Sequence, residues 1–284
     1  RGLGFNPGDG FSYNEENTLE ANVLVVDEST MLDISISKDL MLAIANGTKV
    51  IFMGDTKQLP SVGAGNVLKD LIASETVEIV TLDVVKRQGA LSGVVLNANR
   101  IINGEMIETC EDTKDAYVLH RQTPEGAIKA ILASIKRILT FPDYTLEDIQ
   151  VLAPQRTSSV GTYMLNHNIQ QAFNSENNEG KRVLNLRFDV TLDDRRGQET
   201  FELYFQKGDK VIHTNNEYDK EWYQRGDFNE YLVDKDVLGI TNGECGVIED
   251  ILVVKDGNET KTRIIVKYED KFVFYDNNFQ SLDH

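Results

Sequence analysis

The chain has 284 residues, of which 40% are hydrophobic and 26% are charged, and its formal net charge is −17. This composition is typical of a folded soluble chain and excludes global disorder. No apolar run approaches the ~18 residues that a transmembrane helix needs. The acidic balance argues against a globally basic, histone-like DNA-binding protein, although a local basic groove stays open.

The cysteines and histidines exclude several kinds of site. Cys110 and Cys245 are the only cysteines, and they lie far apart without a C-x-x-C spacing. This pattern excludes a disulfide framework and a cysteine zinc site. The four histidines show no paired spacing either. We therefore predict a reducing, cytoplasmic setting with no membrane partner.

Residues 1–88 alternate strand patterns with helix patterns. The run Val23-Leu24-Val25-Val26 is continuously apolar, which is typical of a strand buried on both faces of a parallel sheet. The predicted elements are strands at 23–26, 49–53 and 77–82 and helices at 32–45 and 65–73. Their alternation predicts a parallel α/β sheet.

Residues 89–180 continue as α/β. Thr123-Pro124 predicts a helix start, with the threonine as N-cap and the proline in the first turn. The predicted elements are helices at 91–102, 124–139 and 159–173 and a strand at 149–153.

Residues 181–284 have a different texture, because they carry 14 of the 23 aromatic residues. Short runs with alternating polarity are separated by turn signals at Gly208-Asp209, Asn242-Gly243 and Asp256-Gly257. The predicted strands lie at 201–205, 210–213, 246–248, 262–268 and 271–274. We predict a small antiparallel barrel, interrupted by a long charged loop at 217–239.

Two strand ends carry residues suited to phosphate chemistry. Asp27-Glu28 follows the first strand, and the carboxyl ends of parallel strands are where ligands bind. An ATPase needs one acid there for Mg²⁺ and another to orient water. The second strand is followed by a Pro/Gly-rich loop with Gln58, whose amide suits a γ-phosphate contact. Taken alone, the acids also fit a solvated strand end, and the loop fits a plain connector.

The two motifs resemble those of a known family. They read Asp27-Glu28-Ser29-Thr30-Met31 and Gly54-Asp55-x-x-Gln58-Leu59-Pro60-Ser61-Val62-Gly63-x-Gly65-x-Val67-Leu68. They resemble motifs II and III of superfamily 1 DNA helicases, most closely the RecD-like branch that includes the exodeoxyribonuclease V alpha subunit. Residues 81–88 resemble motif IV, with Lys86 where the family usually has an aromatic. Residues 151–166 resemble a later conserved stretch of that family.

The resemblance implies a fold and a division of the chain. Residues 208–221 and 242–248 resemble the SH3-like barrel inserted in these helicases, and 222–239 look like a further insertion. The implied fold class is α/β, with parts of two RecA-like motor domains (parallel sheets) plus an inserted small SH3-like antiparallel β-barrel. The implied boundaries are 1–88 for the first motor domain, 89–184 for the second and 185–284 for the barrel.

The resemblance also implies roles for individual residues, with ATP and Mg²⁺ as cofactors. Asp27 is expected to hold Mg²⁺ through water, and Glu28 to activate the attacking water. Gln58 is expected to sense the γ-phosphate. Arg87 is expected to reach that phosphate from the second motor domain as an arginine finger.

Single-stranded DNA is the implied partner, and nuclease or helicase partner subunits are implied as well. Arg156 is a candidate backbone contact, although a capping or interdomain role fits it equally. Asn215, Asn216 and Tyr218 are further nucleic-acid candidates on the barrel. The implied function is an ATP-dependent 5′→3′ DNA helicase.

Two family motifs are missing from the sequence. The phosphate loop G-x-G-K-[ST] does not occur, and neither does the family's final His-Lys-x-Gln-Gly motif. We therefore expect an internal part of a longer helicase that does not hydrolyse ATP by itself. Two alternatives stay open: a non-catalytic DNA- or partner-binding remnant of a helicase, and the helicase domain of a conjugative relaxase.

Overall fold

The computed structural model describes residues 3, 5–6, 10–82, 92–175, 182–191, 198–227, 230–256, 259–277 and 279–284. The chain divides into two compact units, Arg1–Val118 and Leu119–His284. The predicted three-part division stays a prediction. No helix in the described ranges is long and apolar enough to cross a membrane.

The first unit has a parallel strand pair flanked by helices. Its elements in chain order are β1 (Phe5–Asn6), β2 (Gly10–Phe11), β3 (Val23–Val26), a 3-10 turn (Ser29–Met31), α1 (Ile34–Ala43), β4 (Lys49–Phe52), α2 (Val67–Ala73) and α3 (Gly93–Ile102). Strands β3 and β4 pair in parallel, from Val23 beside Lys49 to Val26 beside Phe52. Strands β1 and β2 form a separate antiparallel pair. The predicted strand–helix–strand order around the motifs is therefore confirmed.

The core of this unit lies on one face of the β3–β4 pair. Leu40 and Ala43 of α1 are buried there together with Leu3, and the inward residues Leu24 and Phe52 pack against them. The outward residues of the pair stay exposed: Val23 at 50%, Val25 at 53% and Ile51 at 41%. The prediction of burial on both faces was therefore wrong for this pair.

The predicted third strand at 77–82 does not form, and this prediction was wrong. No strand lies beside residues 77–82 in the described part of the chain, so their backbone groups join no ladder. Val80 and Leu82 are accordingly 80% and 92% exposed. An apolar run is a strand signal only where a neighbouring strand accepts it.

The second unit combines two helices with antiparallel sheets. Its elements are α4 (Pro124–Ile138), a 3-10 turn (Leu146–Asp148), α5 (Thr162–Phe173), β5 (Arg182–Thr191), β6 (Gln198–Gln206), β7 (Lys210–His213), β8 (Glu217–Arg225), β9 (Tyr231–Ile240), β10 (Cys245–Asp256), β11 (Glu259–Tyr268), β12 (Lys271–Asp276) and β13 (Leu282–Asp283). Seven strands form one sheet in the order β13-β7-β10-β11-β12-β8-β9, and β5 pairs with β6. All of these pairings are antiparallel.

Helix α4 begins where its sequence signals place it. The Thr123 side chain accepts a hydrogen bond from the Gly126 backbone N–H at 3.1 Å, and Pro124 occupies the first turn. Lys136 and Arg137 lie in the last turn, where the helix dipole favours positive charge. The predicted start of this helix is confirmed.

The predicted loop at 217–239 is a hairpin, so this prediction was wrong. Strands β8 and β9 pair there through two register shifts, which obscure a simple alternation of polarity. Trp222 is buried in the sheet core and donates from Nε1 to the Gly239 carbonyl at 2.7 Å. Asp234 is buried as well, and it accepts from Lys271 Nζ at 2.8 Å. Because this polar core position is paired, a charged segment can lie in the sheet.

The predicted strand at 149–153 is also absent, and this prediction was wrong. The segment pairs with no described strand. Lys210 Nζ instead donates to the carbonyls of Glu147 and Ile149, at 2.7 and 2.9 Å. Leu152 is 87% exposed. The mixed α/β fold class holds across both units.

Candidate functional site

The carboxyl ends of β3 and β4 lie at one edge of the parallel pair. Val26 is beside Phe52 in the register, so Asp27 and Met53 leave the sheet next to each other. The Met53 N–H donates to the Val26 carbonyl at 2.8 Å and holds the two exits together. This is the edge at which open α/β sheets bind ligands.

Asp27 and Glu28 form a sharp turn at this edge. Glu28 has a left-handed backbone, with φ of 50°, which is uncommon for a residue other than glycine. Its N–H donates to Asp27 Oδ1 at 2.8 Å. Both side chains are exposed. The turn therefore presents two carboxylates to solvent at the end of β3. Such oxygen ligands suit Mg²⁺, which commonly takes one or two carboxylates plus water and phosphate oxygens.

Ser29 ties the two strand ends together. It is 1% exposed, and both its N–H and its hydroxyl donate to the Met53 carbonyl, at 2.8 and 2.7 Å. Gly54 follows at close quarters: a Cβ there would lie 3.1 Å from Ser29 Oγ and 2.9 Å from Leu68 Cδ2. A side chain at position 54 would therefore displace the turn that carries Glu28.

Gln58 lies in the loop 54–65 that follows β4. Asp55 Oδ1 accepts from the Lys57 N–H at 3.0 Å, and the Asp55 carbonyl accepts from the Gln58 N–H at 2.9 Å. This is an Asx-type turn, which sets the local chain direction. The Gln58 side chain is exposed. The structure thus brings the segments of Asp27, Glu28 and Gln58 to one edge.

Arg87 and most of the motif around it lie outside the described residues. Its predicted role as an arginine finger stays a prediction.

Arg156 lies in the turn before α5. Its carbonyl accepts from the Tyr163 N–H at 3.2 Å, and Gly161 passes so close that a Cβ there would meet the Arg156 backbone. The backbone of Arg156 therefore shapes the start of α5. Its side chain is exposed and can make other contacts.

The three predicted nucleic-acid residues lie in the β7–β8 connection and at the start of β8, and they differ in their contacts. Asn216 Oδ1 accepts from the Asn242 N–H at 2.7 Å, and its Nδ2 donates to the Tyr218 hydroxyl at 3.2 Å. Asn216 thus joins two turns of the sheet. Asn215 is exposed, and Tyr218 is 69% exposed. Asn215 and Tyr218 are therefore the more accessible of the three.

Asp209 is a structural centre that the sequence reasoning missed. Its side chain is 5% exposed, and its oxygens accept from Gln170 Nε2, Asn174 Nδ2 and the Gln206 N–H at 2.7, 2.7 and 2.9 Å. His284 Nε2 lies 3.3 Å from Asp209 Oδ2. The only sequence signal was the Gly208-Asp209 turn. Asp209 joins α5 to the β6–β7 turn.

His213 lies in the core beside this connection. It is fully buried, and its Nδ1 shares a hydrogen bond with the Tyr275 hydroxyl at 3.0 Å, which in turn meets the Tyr268 hydroxyl at 2.9 Å. Within the described residues, His213 Nε2 has no hydrogen-bond partner. Burial lowers the pKa of the imidazole below its ordinary value of 6.5; Glu217 and Glu244 oppose this shift, and Lys220 adds to it.

This shift predicts acid sensitivity of the second unit. Because the folded His213 pKa lies below the unfolded one, the unfolded state binds more protons, and stability falls as pH drops below about 6.5. Urea unfolding of the chain between pH 7.5 and 5 should show a falling midpoint. His213→Gln should flatten that fall, and the exposed His120→Gln should not. An unchanged slope in His213→Gln would contradict the assignment.

Comparison with known proteins finds similarity to one family model and to several helicases. Residues 9–123 match the family model described as AAA domain. The ATP-dependent RecD2 DNA helicase of Deinococcus radiodurans is 29% identical over 219 residues, which are 77% of this chain and 27% of that protein. The RecBCD enzyme subunit RecD of Mycobacterium tuberculosis (strain H37Rv) is 29% identical over 183 residues, covering 59% of this chain and 32% of that subunit. RecD of Haemophilus influenzae is 43% identical over 70 residues, 24% of this chain and 11% of that subunit.

These matches agree with the motifs and with the strand edge that carries them. The chain spans 27% and 32% of the lengths of the first two relatives. Over these ranges the chain is similar to RecD-like DNA helicases.

Proposed function

We propose that the full-length protein containing this chain is an ATP-dependent DNA helicase that moves 5′→3′ along single-stranded DNA. The observation that carries this proposal is the shared edge of β3 and β4. There, Asp27-Glu28 and the loop with Gln58 leave neighbouring parallel strands, and Ser29 hydrogen-bonds to Met53. Phosphoryl transfer needs metal-binding and water-orienting groups in such an arrangement.

Asp27 and Glu28 have different roles at this edge of the sheet. Asp27, whose Oδ1 already accepts the Glu28 N–H, is the carboxylate that holds Mg²⁺ through water. Bound Mg²⁺ supplies charge neutralisation at the phosphates. Glu28, exposed at the tip of the turn, accepts a proton from the attacking water.

Gln58 and Arg87 connect nucleotide state to motion. Gln58 donates an amide hydrogen bond to the γ-phosphate from its exposed loop. Arg87 contributes a planar guanidinium to the same phosphate when the two RecA-like motor domains close. Closure and reopening then move the DNA strand stepwise.

The second unit holds the DNA. We assign backbone or base contacts to Arg156, Asn215, Asn216 and Tyr218, of which Tyr218 has an exposed ring suited to base stacking. The antiparallel sheet of residues 185–284 corresponds, in this proposal, to an SH3-like barrel that guides the strand. Residues 1–88 and 89–184 then belong to the two motor domains, and nuclease or helicase subunits are candidate partners.

Unwinding of tailed duplexes tests the proposal. The full-length protein with Mg²⁺ and ATP should unwind a duplex with a 5′ single-stranded tail and leave the matched 3′-tailed duplex intact. Single-stranded DNA should also stimulate ATP turnover. Preferential unwinding of the 3′-tailed duplex would overturn the polarity. Salt-dependent DNA binding that ATP does not affect, without turnover, would identify a binding remnant instead.

A further inference from the structure

We propose that Asp33 is a positioning residue that clamps the loop 54–65 to the start of α1 and thereby fixes Gln58 relative to Glu28. The inference rests on the proposed function, since it concerns how the same site is held. Neither the sequence patterns nor the comparisons assign Asp33 a role.

The loop is anchored at its first end by Ser29. The Met53 carbonyl accepts two hydrogen bonds from this buried residue, and Gly54 packs against the turn that follows Glu28. The beginning of the loop therefore cannot move without moving the turn.

The loop is anchored at its other end by the first turn of α1. The Ile34 N–H donates to the Ala64 carbonyl at 2.9 Å. Gly63 lies directly against Asp33: a Cβ on Gly63 would fall 2.7 Å from Asp33 Cγ and 2.8 Å from its Cβ, and closer still to Oδ2. Asp33 Oδ1 meanwhile caps α1 by accepting from the Ile36 N–H at 2.8 Å.

The anchored end of the loop is also braced internally. The single hydroxyl proton of Ser61 is shared between the carbonyls of Gly63 and Gly65, whose oxygens lie 3.0 and 2.7 Å from Oγ. Gly65 has a φ of 103°, a backbone conformation that residues other than glycine rarely adopt. The segment 61–65 is therefore a compact turn seated on Asp33 and Ile34.

Gln58 lies between the two anchors. Both anchors are on the short stretch 29–34 that immediately follows Glu28. The turn with Glu28 and the loop with Gln58 are consequently held in a fixed relative position. The contact of Asp33 with Gly63 fixes the second end of the loop. Small misplacements of reacting groups lower rates steeply, so loss of this contact should appear in the catalytic rate constant.

A double-mutant cycle in the full-length protein tests the contact. Gly63→Ala adds a methyl group against Asp33, and we expect kcat for DNA-stimulated ATP hydrolysis to fall about 10-fold with KM changed less than about twofold. Asp33→Gly removes the side-chain atoms that a methyl group on residue 63 would meet, and glycine is an acceptable N-cap. We therefore expect a smaller fall in kcat for this variant. The double variant should be no slower than Gly63→Ala, because the methyl group then occupies vacated space.

A second variant and a second measurement guard against misfolding. Asp33→Ser keeps a capping oxygen but loses the carboxylate beside Gly63. Without nucleotide, it should speed hydrogen exchange at the Ile34 amide, which donates to Ala64, and leave exchange in the rest of α1 unchanged. Faster exchange throughout α1 would identify a purely structural role and overturn the proposal.

The outcomes separate this inference from the proposed function. Suppose that the unmodified full-length protein hydrolyses ATP and that Glu28→Gln abolishes this activity. If Gly63→Ala and Asp33→Gly then keep the kcat of the unmodified protein, the positioning role of Asp33 is wrong and the proposed function stands. Multiplied losses in the double variant would likewise overturn the contact. If the parent protein shows no ATP turnover under any condition, both fail.

Discussion

Replacing Glu28 with glutamine in the full-length protein is expected to lower ATP turnover by at least about 100-fold while ATP binding is kept. The amide has nearly the same shape as the carboxylate but cannot accept the proton of the attacking water. Glu28 is exposed at the tip of its turn, so the substitution disturbs no buried contact. Steady-state hydrolysis and equilibrium binding of a fluorescent ATP analogue measure the two effects separately.

The chain offers a closely matched control for this substitution. Glu75 is also an exposed glutamate with a left-handed backbone, at φ of 52°, in the same unit. Glu75→Gln therefore repeats the chemical and conformational change away from the strand edge and should keep the parent turnover. Turnover retained in Glu28→Gln would remove Glu28 from the role of general base, and equal losses in both variants would indicate a general effect on folding.

Local signals in the sequence predict several elements of both units well. The run Val23–Val26 ends in polar residues, Thr123-Pro124 starts a helix, and Lys49–Phe52 is a short strand, as the structure has them. In each case the deciding information lies within a few residues of chain. The motifs at Asp27-Glu28 and around Gln58 were found for the same reason, because they directly follow strands.

Predictions that depended on a distant neighbour failed. Residues 77–82 and 149–153 have strand-like composition but no described strand beside them. The sequence of the β8–β9 hairpin predicts a loop because the segment is rich in charged residues, one of which, Asp234, is buried in the structure. Asp234 is tolerated there through Lys271, which lies far along the chain. No local pattern of polarity reveals such a pairing.

The same distinction applies to the site. Ser29, Gly54, Asp33 and Gly63 hold the candidate residues through contacts between segments about 25 to 30 residues apart. Composition identified the glycines only as features of a connector. Their role becomes visible only when the positions of Ser29 and Asp33 are known, because a close approach depends on both partners.

Replacing Asp209 with alanine is expected to destabilise the second unit by about 3 kcal/mol, since it leaves buried donors without their acceptor. Gln170 and Asn174 each keep one backbone acceptor, the carbonyls of Tyr204 and Lys207, so the loss should be below that of fully unpaired donors. Asp209→Asn should cost about 2 kcal/mol, because its NH₂ group faces donors.

Urea unfolding followed by the fluorescence of Trp222 measures this effect, because Trp222 is the only tryptophan of the chain and is buried in the second unit. The exposed Asp219→Ala removes the same charge from the same unit and should change stability by less than about 0.5 kcal/mol. An unfolding midpoint of Asp209→Ala equal to that of Asp219→Ala would contradict the central position of Asp209. A selective loss of stability in Asp209→Ala would mean that the Gly208-Asp209 turn serves to join α5 to the β6–β7 turn.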